Sequence, residues 1–600
     1  MRPIRPAAAV AALAVLSTLG AACSGGDPAE GLPTEVVTSG PTTTVPIATD
    51  LSPCDGEPGV GGAAPDDARP GDLVAATELD DPSDDGDDGF PTEARVWRIL
   101  YVSTGIDEDD LQLVCGLAAA PDEGPEQEGG VGHQLAWSHG TIGLQQACLP
   151  STRPAEAFWG PMGGGIGAVA WGTGFRARKG DPSGGALQTA LDRGWVVSAT
   201  DYQPNNTYII GRIAAANVID AGRATSQLMD REFGATTTPD EYDVITWGHS
   251  QGGHAALWAG QMMETYQQAA PNPDSPTLTL AGVAAEAPAA NLVAQPELQD
   301  GVSYGDGVAD WEMHQSIQLL GLPIPALELQ IGPALFSYIF GSWAQFSARG
   351  TPAADSLTPA FPAAAADLDL DAVATEQGAT TIAQLVALCL DQKDSTRVKD
   401  LVSKYRNAAE HQMLTPSLWN LPDDYRAGQF FKGGADETCA TTSDADMTAW
   451  CDWIRWNIPG PLGDHPFPKV PTADGSPVPV LIAQGMDDQI IHCQPGDGED
   501  PDAVPGAADC MATALYDSLR DDAYCPADGD AGYLKLSLFA RAGAGSPGSH
   551  LSIPGQIAAV GSAQSDTDLT FVGSPLDRFM TGAFDRRLEP GCSASVLNAG

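Results

Sequence analysis

The chain has 600 residues and a formal net charge of −50, from 29 Lys and Arg against 79 Asp and Glu. Such a field repels phosphate, so nucleic-acid and anionic-lipid surfaces are excluded as its default partners. Apolar residues make up 43% of the chain, enough for a large core, which excludes global disorder.

Met1–Ala22 reads as a secretory signal peptide. Arg2 and Arg5 form its positive end, Ala7–Leu19 is apolar, and Gly20, Ala21 and Ala22 are small residues ahead of Cys23. Pro6 keeps the apolar run below the ~20 residues of a membrane-spanning helix. A small-residue run ending in Cys is similar to the bacterial lipobox, although Gly20 stands where that pattern prefers Leu. Cys23 is therefore the expected lipidation site. The chain is expected to be exported, either anchored to the membrane surface through Cys23 or cleaved and released.

Eleven cysteines are present, and assigning Cys23 to lipid leaves ten, an even set that an exported protein can pair. Sequence proximity suggests Cys439 with Cys451 and Cys510 with Cys525. No CxxC, HExxH or Cys/His cluster has metal-ligand spacing, so neither a metal nor a cofactor is expected.

Residues 23–70 are rich in Gly, Pro, Thr, Ser and acid, the composition of a flexible tether. Asp80–Asp88 is an acidic run without the spaced ligands of a calcium loop, and is expected to be solvated. From Arg95 onward, β-branched and apolar runs predict strands at Arg95–Ser103, Leu111–Ala119, Gln134–Ser138, Trp195–Thr200, Tyr242–Trp247, Leu278–Ala285, Val478–Gln484 and Tyr533–Arg541. The first two form an expected antiparallel hairpin. The later strands alternate with helical patterns, notably Ala214–Phe233 and Gln251–Tyr266, as a parallel sheet with crossover helices requires.

The interval between the sixth and seventh strands is too long for a connection. Residues 289–477 are therefore expected to form an inserted cap, dividing the main domain into 71–288 and 478–600. Helical patterns occur there at Ala379–Leu390 and Ser395–His411. The apolar, Pro-punctuated stretch Ile317–Phe346 is either the cap's own core or a lid offering apolar surface to an acyl chain.

Gly248-His249-Ser250-Gln251-Gly252 matches G-x-S-x-G between a predicted strand and a predicted helix. That context is what a nucleophile elbow needs, because the glycines permit a sharp turn that lifts the Ser hydroxyl clear of the sheet. A Ser hydroxyl requires a base, and the chain order Ser, acid, His narrows the nine histidines to two. His492 lies four residues past Asp488, in the same loop. His550 follows the eighth strand and is preferred. For the acid, Asp488 is preferred to Asp487. His249 and His254 flank the serine and are expected to be structural. The expected oxyanion donors are the backbone N–H groups of Gln251, directly after the serine, and Thr141, in the His139-Gly140-Thr141 loop after the third strand.

These segments resemble the secretory lipase family of α/β-hydrolases from actinobacteria and fungi. The similarity lies in VWRILYVST (Val96–Thr104), WSHGTIGLQQACLPS (Trp137–Ser151), TDYQPNN (Thr200–Asn206), WGHSQGGHAALWAG (Trp247–Gly260) and VLIAQGMDDQ (Val480–Gln489). The resemblance implies an α/β-hydrolase fold, here with an eight-stranded, mostly parallel sheet and a large cap inserted between strands six and seven. It also implies Ser250 as nucleophile, Asp488 as acid, His550 as base, and small-molecule or lipid esters as substrates. A serine peptidase or amidase would use the same triad. A surface binding protein that kept the fold and lost catalysis is the alternative from another class.

Overall fold

The structure is a computed structural model. It describes Leu51, Cys54 and most of 64–597, the longest stretches left out being 153–184, 291–311, 349–367, 398–444, 464–476 and 558–570. Met1–Ala22, Cys23, most of the acidic run from Asp80, Asp487, His492, Cys439 and all of Ser395–His411 but one residue lie outside the described residues.

All eight expected strands are present, and the sheet is larger than expected, with eleven strands. In chain order they begin with β1 (Leu73–Glu78), β2 (Ala94–Thr104), β3 (Leu111–Pro121) and the short β4 (Gln127–Glu128). β5 (Val131–Ser138), β6 (Val196–Thr200), β7 (Glu241–His249) and β8 (Thr277–Glu286) follow. A separate hairpin, β9 (Glu312–Leu319) and β10 (Leu322–Gln330), precedes β11 (Val480–Gly485), β12 (Tyr533–Phe539) and β13 (Gly591–Leu597). The spatial order is β1-β2-β3-β6-β5-β7-β8-β11-β12-β13, with β4 beside β5. β1, β2 and β3 pair antiparallel, including the expected hairpin, whereas β6 through β13 along that path are parallel.

Helices cover both faces of the parallel part, as its two buried faces demand. On one face lie α2 (Gly211–Met229) and α3 (Gln251–Ala269), whose Ile213, Val218, Leu257 and Met262 pack with Val244 and Val283. On the other, α1 (Ala186–Asp192) and α8 (Pro575–Phe584) bring Leu187, Leu191, Phe579 and Met580 against Leu135, Trp137 and Trp247. The alternation of β5, with Ala136 on the first face and Leu135 and Trp137 on the second, is the period-two pattern of a strand.

Two expectations are corrected near the ends of the body. Leu51 and Cys54 are buried, and Cys54 is disulfide-bonded to Cys115 of β3, so the packed chain begins ahead of residue 70. Cys510 pairs with Cys493 and Cys525 with Cys592, not with each other. The reason is α7 (Met511–Leu519), which with the turn Arg520–Tyr524 separates Cys510 from Cys525. A helical rise over that span holds the two roughly 20 Å apart, beyond the reach of a disulfide. A further bridge joins Cys148 to Cys389.

Between β8 and β11 the chain leaves the sheet. Besides the hairpin, this insertion contains α4 (Gly332–Ser347), α5 (Glu376–Val386) and α6 (Ala445–Trp456). The stretch Ile317–Phe346 is thus divided between hairpin and helix, and among the described residues no helix is long and apolar enough to cross a membrane. Tyr338, Ile339, Phe340, Trp343 and Phe346 of α4 are buried. Trp343 stacks on Trp450 at 6.3 Å, and Phe346 meets Trp453 edge-on at 6.0 Å. These aromatic groups pack the insertion into the core that it shares with Ile213, Leu257 and Trp258 of α2 and α3.

Asn457, just past α6, ties that core to the sheet's helices. Its carbonyl accepts from His254 Nε2–H at 2.7 Å and Trp258 Nε1–H at 3.1 Å, and its Oδ1 accepts from Gly211 N–H at 2.9 Å. His254 is therefore structural, as expected.

Candidate active site

Parallel strands align their C-terminal ends along one edge of a sheet, and loops from that edge converge there. The loops after β5, β7, β11 and β12 carry Thr141, Ser250, Asp488 and His550 respectively. Register fixes the first two relative to each other. Ser138 of β5 lies beside Gly248 of β7, so the 139–143 loop starts next to the elbow.

Ser250 occupies φ 59°, ψ −118°, a conformation that non-glycine residues seldom adopt. It is the residue before α3, with its N–H donating to Glu286 O at 2.8 Å and its carbonyl accepting from His254 N–H at 3.1 Å. The flanking glycines are a packing necessity. A Cβ on Gly252 would lie 1.8 Å from the Ser138 carbonyl oxygen, and one on Gly248 would lie 2.4 Å from the Gly252 carbonyl oxygen. Turn and neighbouring strand thus approach too closely for any side chain.

Asp488 and His550, 62 residues apart, meet at 2.7 Å, with His550 Nδ1–H donating to Asp488 Oδ2. Both are buried, at 0% and 4% exposure. Two further groups hold the carboxylate. Gln484 Nε2 donates to Oδ2 at 2.7 Å, Ile491 N–H donates to Oδ1 at 2.9 Å, and the Gln484 amide also reaches Ile491 O at 3.1 Å. The Cys493–Cys510 disulfide closes the loop, and Cys493 N–H donates to Asp488 O at 3.2 Å. Because Nδ1 carries the proton, Nε2 of a neutral His550 is left as the basic nitrogen.

His249 links the base to the elbow. Its Nε2–H donates to the His550 carbonyl at 2.9 Å, and the two rings lie 4.6 Å apart. Burial, with the neighbouring His550 ring second, pushes His249 well below the usual imidazole range, so it is a neutral donor. Its sequence position gave no sign of this contact, which joins residues 301 apart in the chain.

The 139–148 loop is firmly held. His139 Nδ1–H donates to Gly140 O at 2.6 Å, its carbonyl accepts from Tyr202 OH at 2.9 Å, and burial pushes its ring down to about 4. The Thr141 hydroxyl is 2.8 Å from the Tyr208 hydroxyl. Gln251, the first residue of α3, is buried.

Beneath the elbow, Glu286 is buried at the end of β8, where it accepts Trp247 Nε1–H at 2.7 Å. Burial raises this carboxyl to about 8, with the Trp bond partly opposing. Asp201, which accepts Ser151 N–H at 3.0 Å and the Ser151 hydroxyl, is raised to about 6 by burial. Among the described residues no group of His, Cys, Asp and Glu is arranged to hold a metal ion.

The fold and the strand–elbow–helix geometry define an α/β-hydrolase. A family model described as Secretory lipase matches residues 185–314, which span α1, β6, α2, β7, the elbow, α3 and β8. The resemblance read from the sequence is thus found independently over that stretch. No curated protein matches the chain. Among solved structures, Candida antarctica lipase A is 14% identical with a TM-score of 0.47, over 92% of this chain and 91% of that one. The rice cell wall degrading esterase LipA from Xanthomonas oryzae is 15% identical with a TM-score of 0.42, over 80% and 94%.

Proposed function

We propose that this protein is a serine ester hydrolase of the lipase and carboxylesterase type, working through an acyl-enzyme on Ser250. The observation that carries the reading is the buried Asp488–His550 pair, tied through His249 to the strained serine of the elbow. His550 Nε2 takes the Ser250 proton as the hydroxyl attacks the ester carbonyl. Asp488 holds the tautomer and stabilises the imidazolium. Backbone N–H groups of Gln251 and Thr141 receive the oxyanion, each worth about 3 kcal/mol in the transition state. His550 then gives its proton to the leaving alcohol and activates water to release the acid.

In this reading 289–477 is the cap, and its described aromatic residues pack it against α2 and α3. The four disulfides among the described residues are the mark of an exported protein. Anchoring through Cys23 is a separate proposal, checked by mass spectrometry of the mature N-terminus for a diacylglyceryl group.

The first test is hydrolysis of p-nitrophenyl esters from acetate to palmitate by the wild type and by Ser250→Ala. We expect turnover in the wild type and at least a 1,000-fold loss in the variant. Comparable activity in both would remove Ser250 from the mechanism. Wild-type cleavage of matched amides, without cleavage of esters, would assign the site to a peptidase instead.

A further inference from the structure

The loop that carries Thr141 is bound to the insertion by a disulfide, a strand bridge and a side-chain hydrogen bond. At one end, the Cys148–Cys389 disulfide is a covalent staple across 241 residues of sequence. Beside it, Gly143 forms a strand bridge with Cys389, and Gln145 Nε2 donates to Val386 O at 3.0 Å. At the other end stands Tyr208, in the connection between β6 and α2. Its hydroxyl reaches the Thr141 hydroxyl at 2.8 Å.

Two side chains of the insertion helix α4 hold the Tyr208 backbone. Ser342 Oγ accepts its N–H at 2.7 Å, and Trp343 Nε1–H donates to its carbonyl at 3.0 Å. Tyr338, one turn earlier on α4, meets its ring edge-on at 5.8 Å and donates through its own hydroxyl to Leu388 O at 3.0 Å, next to the disulfide. The next residue, Ile209, has φ 52°, an unfavourable conformation for a β-branched side chain that persists only where surroundings enforce it. Tyr208 is itself buried, so its hydroxyl has little freedom to choose another partner.

We infer that Tyr208 is a positioning residue: through its hydroxyl bond to Thr141 it makes the seating of the insertion helix α4 a condition for correct placement of the oxyanion-binding loop. This rests on the reading of Thr141 as the second oxyanion donor. Preorganised donors act only when aimed at the place where charge develops, so a loop displaced by a fraction of an ångström loses transition-state binding before it loses substrate binding. The insertion thereby has a catalytic consequence without any of its residues touching the ester.

The test is a double-mutant cycle in the full chain, with Tyr208→Phe, Thr141→Val and the pair. Each single change removes one side of the same bond while leaving the Thr141 backbone N–H in place. We expect kcat on a p-nitrophenyl ester to fall about tenfold in each, with KM within twofold, and the double variant to be no slower than the worse single one. Affinity for a trifluoromethyl ketone, whose serine adduct carries the oxyanion, should weaken by the same factor as kcat. Unchanged kcat in Tyr208→Phe, or multiplicative losses in the double variant, would overturn the proposal. So would a lowered unfolding midpoint with unaltered ketone affinity, which is the signature of a purely structural tyrosine. If Tyr208→Phe does not fold, Thr141→Val alone decides between the same outcomes. A wild type that neither hydrolyses esters nor is labelled at Ser250 by a phosphonate would remove the ester-hydrolase reading along with this one. An active wild type with an indifferent Tyr208→Phe removes only this one.

Discussion

Asp488 shows how much of a site depends on groups that carry no chemistry of their own. Its two oxygens receive three protein donors, from His550, Gln484 and Ile491. Hydrogen bonds to a charged acceptor are worth about 1.5–3 kcal/mol, and here they fix the direction in which the carboxylate faces the imidazole. Asp488→Asn offers an amide in place of one acceptor and is expected to lower kcat about 1,000-fold or more, measured with saturating ester. Gln484→Leu leaves the Asp488 carboxylate intact but removes the amide donor that its Oδ2 shares with His550. For it we expect a kcat reduced about tenfold at nearly constant KM. The proposed triad of Ser250, Asp488 and His550 can be picked out in the sequence because each residue follows a recognisable strand in the expected order. Gln484, His249 and Tyr208 cannot, because their roles depend on where a side chain points once distant loops have met.

At the scale of elements, the eight expected strands are those with runs of β-branched and apolar residues. The three others lacked that signal. β1 adjoins Pro- and Asp-rich chain, β4 has two residues, and β13 is the half-exposed, Ser- and Ala-containing edge Gly591–Leu597. Pairing against an already formed neighbour, not composition, makes them strands. The end of β8 carries a consequence for stability. Glu286 has its proton bound more tightly in the folded chain than in the unfolded one. Its contribution is therefore complete below about 4.5 and is lost as pH rises toward 8. Glu286→Gln keeps an acceptor for Trp247 and abolishes the titration. It should match the wild type in unfolding free energy at pH 4 and exceed it at pH 8, by on the order of 2–4 kcal/mol. Equal denaturation midpoints at pH 8 would show that the carboxyl ionises there without penalty.

For the molecule as a whole, the long insertion is held to the sheet covalently as well as by packing. Closing a loop of this length restricts the unfolded chain, and the Cys148–Cys389 bridge, separated by 241 residues, is expected to contribute about 5.5 kcal/mol by chain entropy. Cys148→Ser with Cys389→Ser should lower the thermal midpoint by several degrees under oxidising conditions, and reductant should then have a smaller effect than on the wild type. The net charge of −50 adds a second dependence. Self-repulsion across an acidic surface weakens the compact state and is screened by salt, over about 10 Å at 0.1 M. Raising sodium chloride from 0.05 to 1 M should raise the thermal midpoint, and an unchanged midpoint would show that the acidic groups are already spaced or paired well enough.

What the amino-acid sequence determined by itself is local: the alternation of strands and helices, the strand–turn–helix around Ser250, and the order of serine, acid and histidine. Each of these depends on neighbours within a few residues, where sterics and hydrophobic periodicity act directly. What only the tertiary structure decided is which loops meet. The pairing of Asp488 with His550, the contact of His249 with His550, the Cys148–Cys389 disulfide and the clamp of Tyr208 on Thr141 all join residues far apart in the chain. Their encounters are set by sheet order and register, and by helices such as α7 that hold nearby cysteines apart. No spacing rule along the chain encodes those distances.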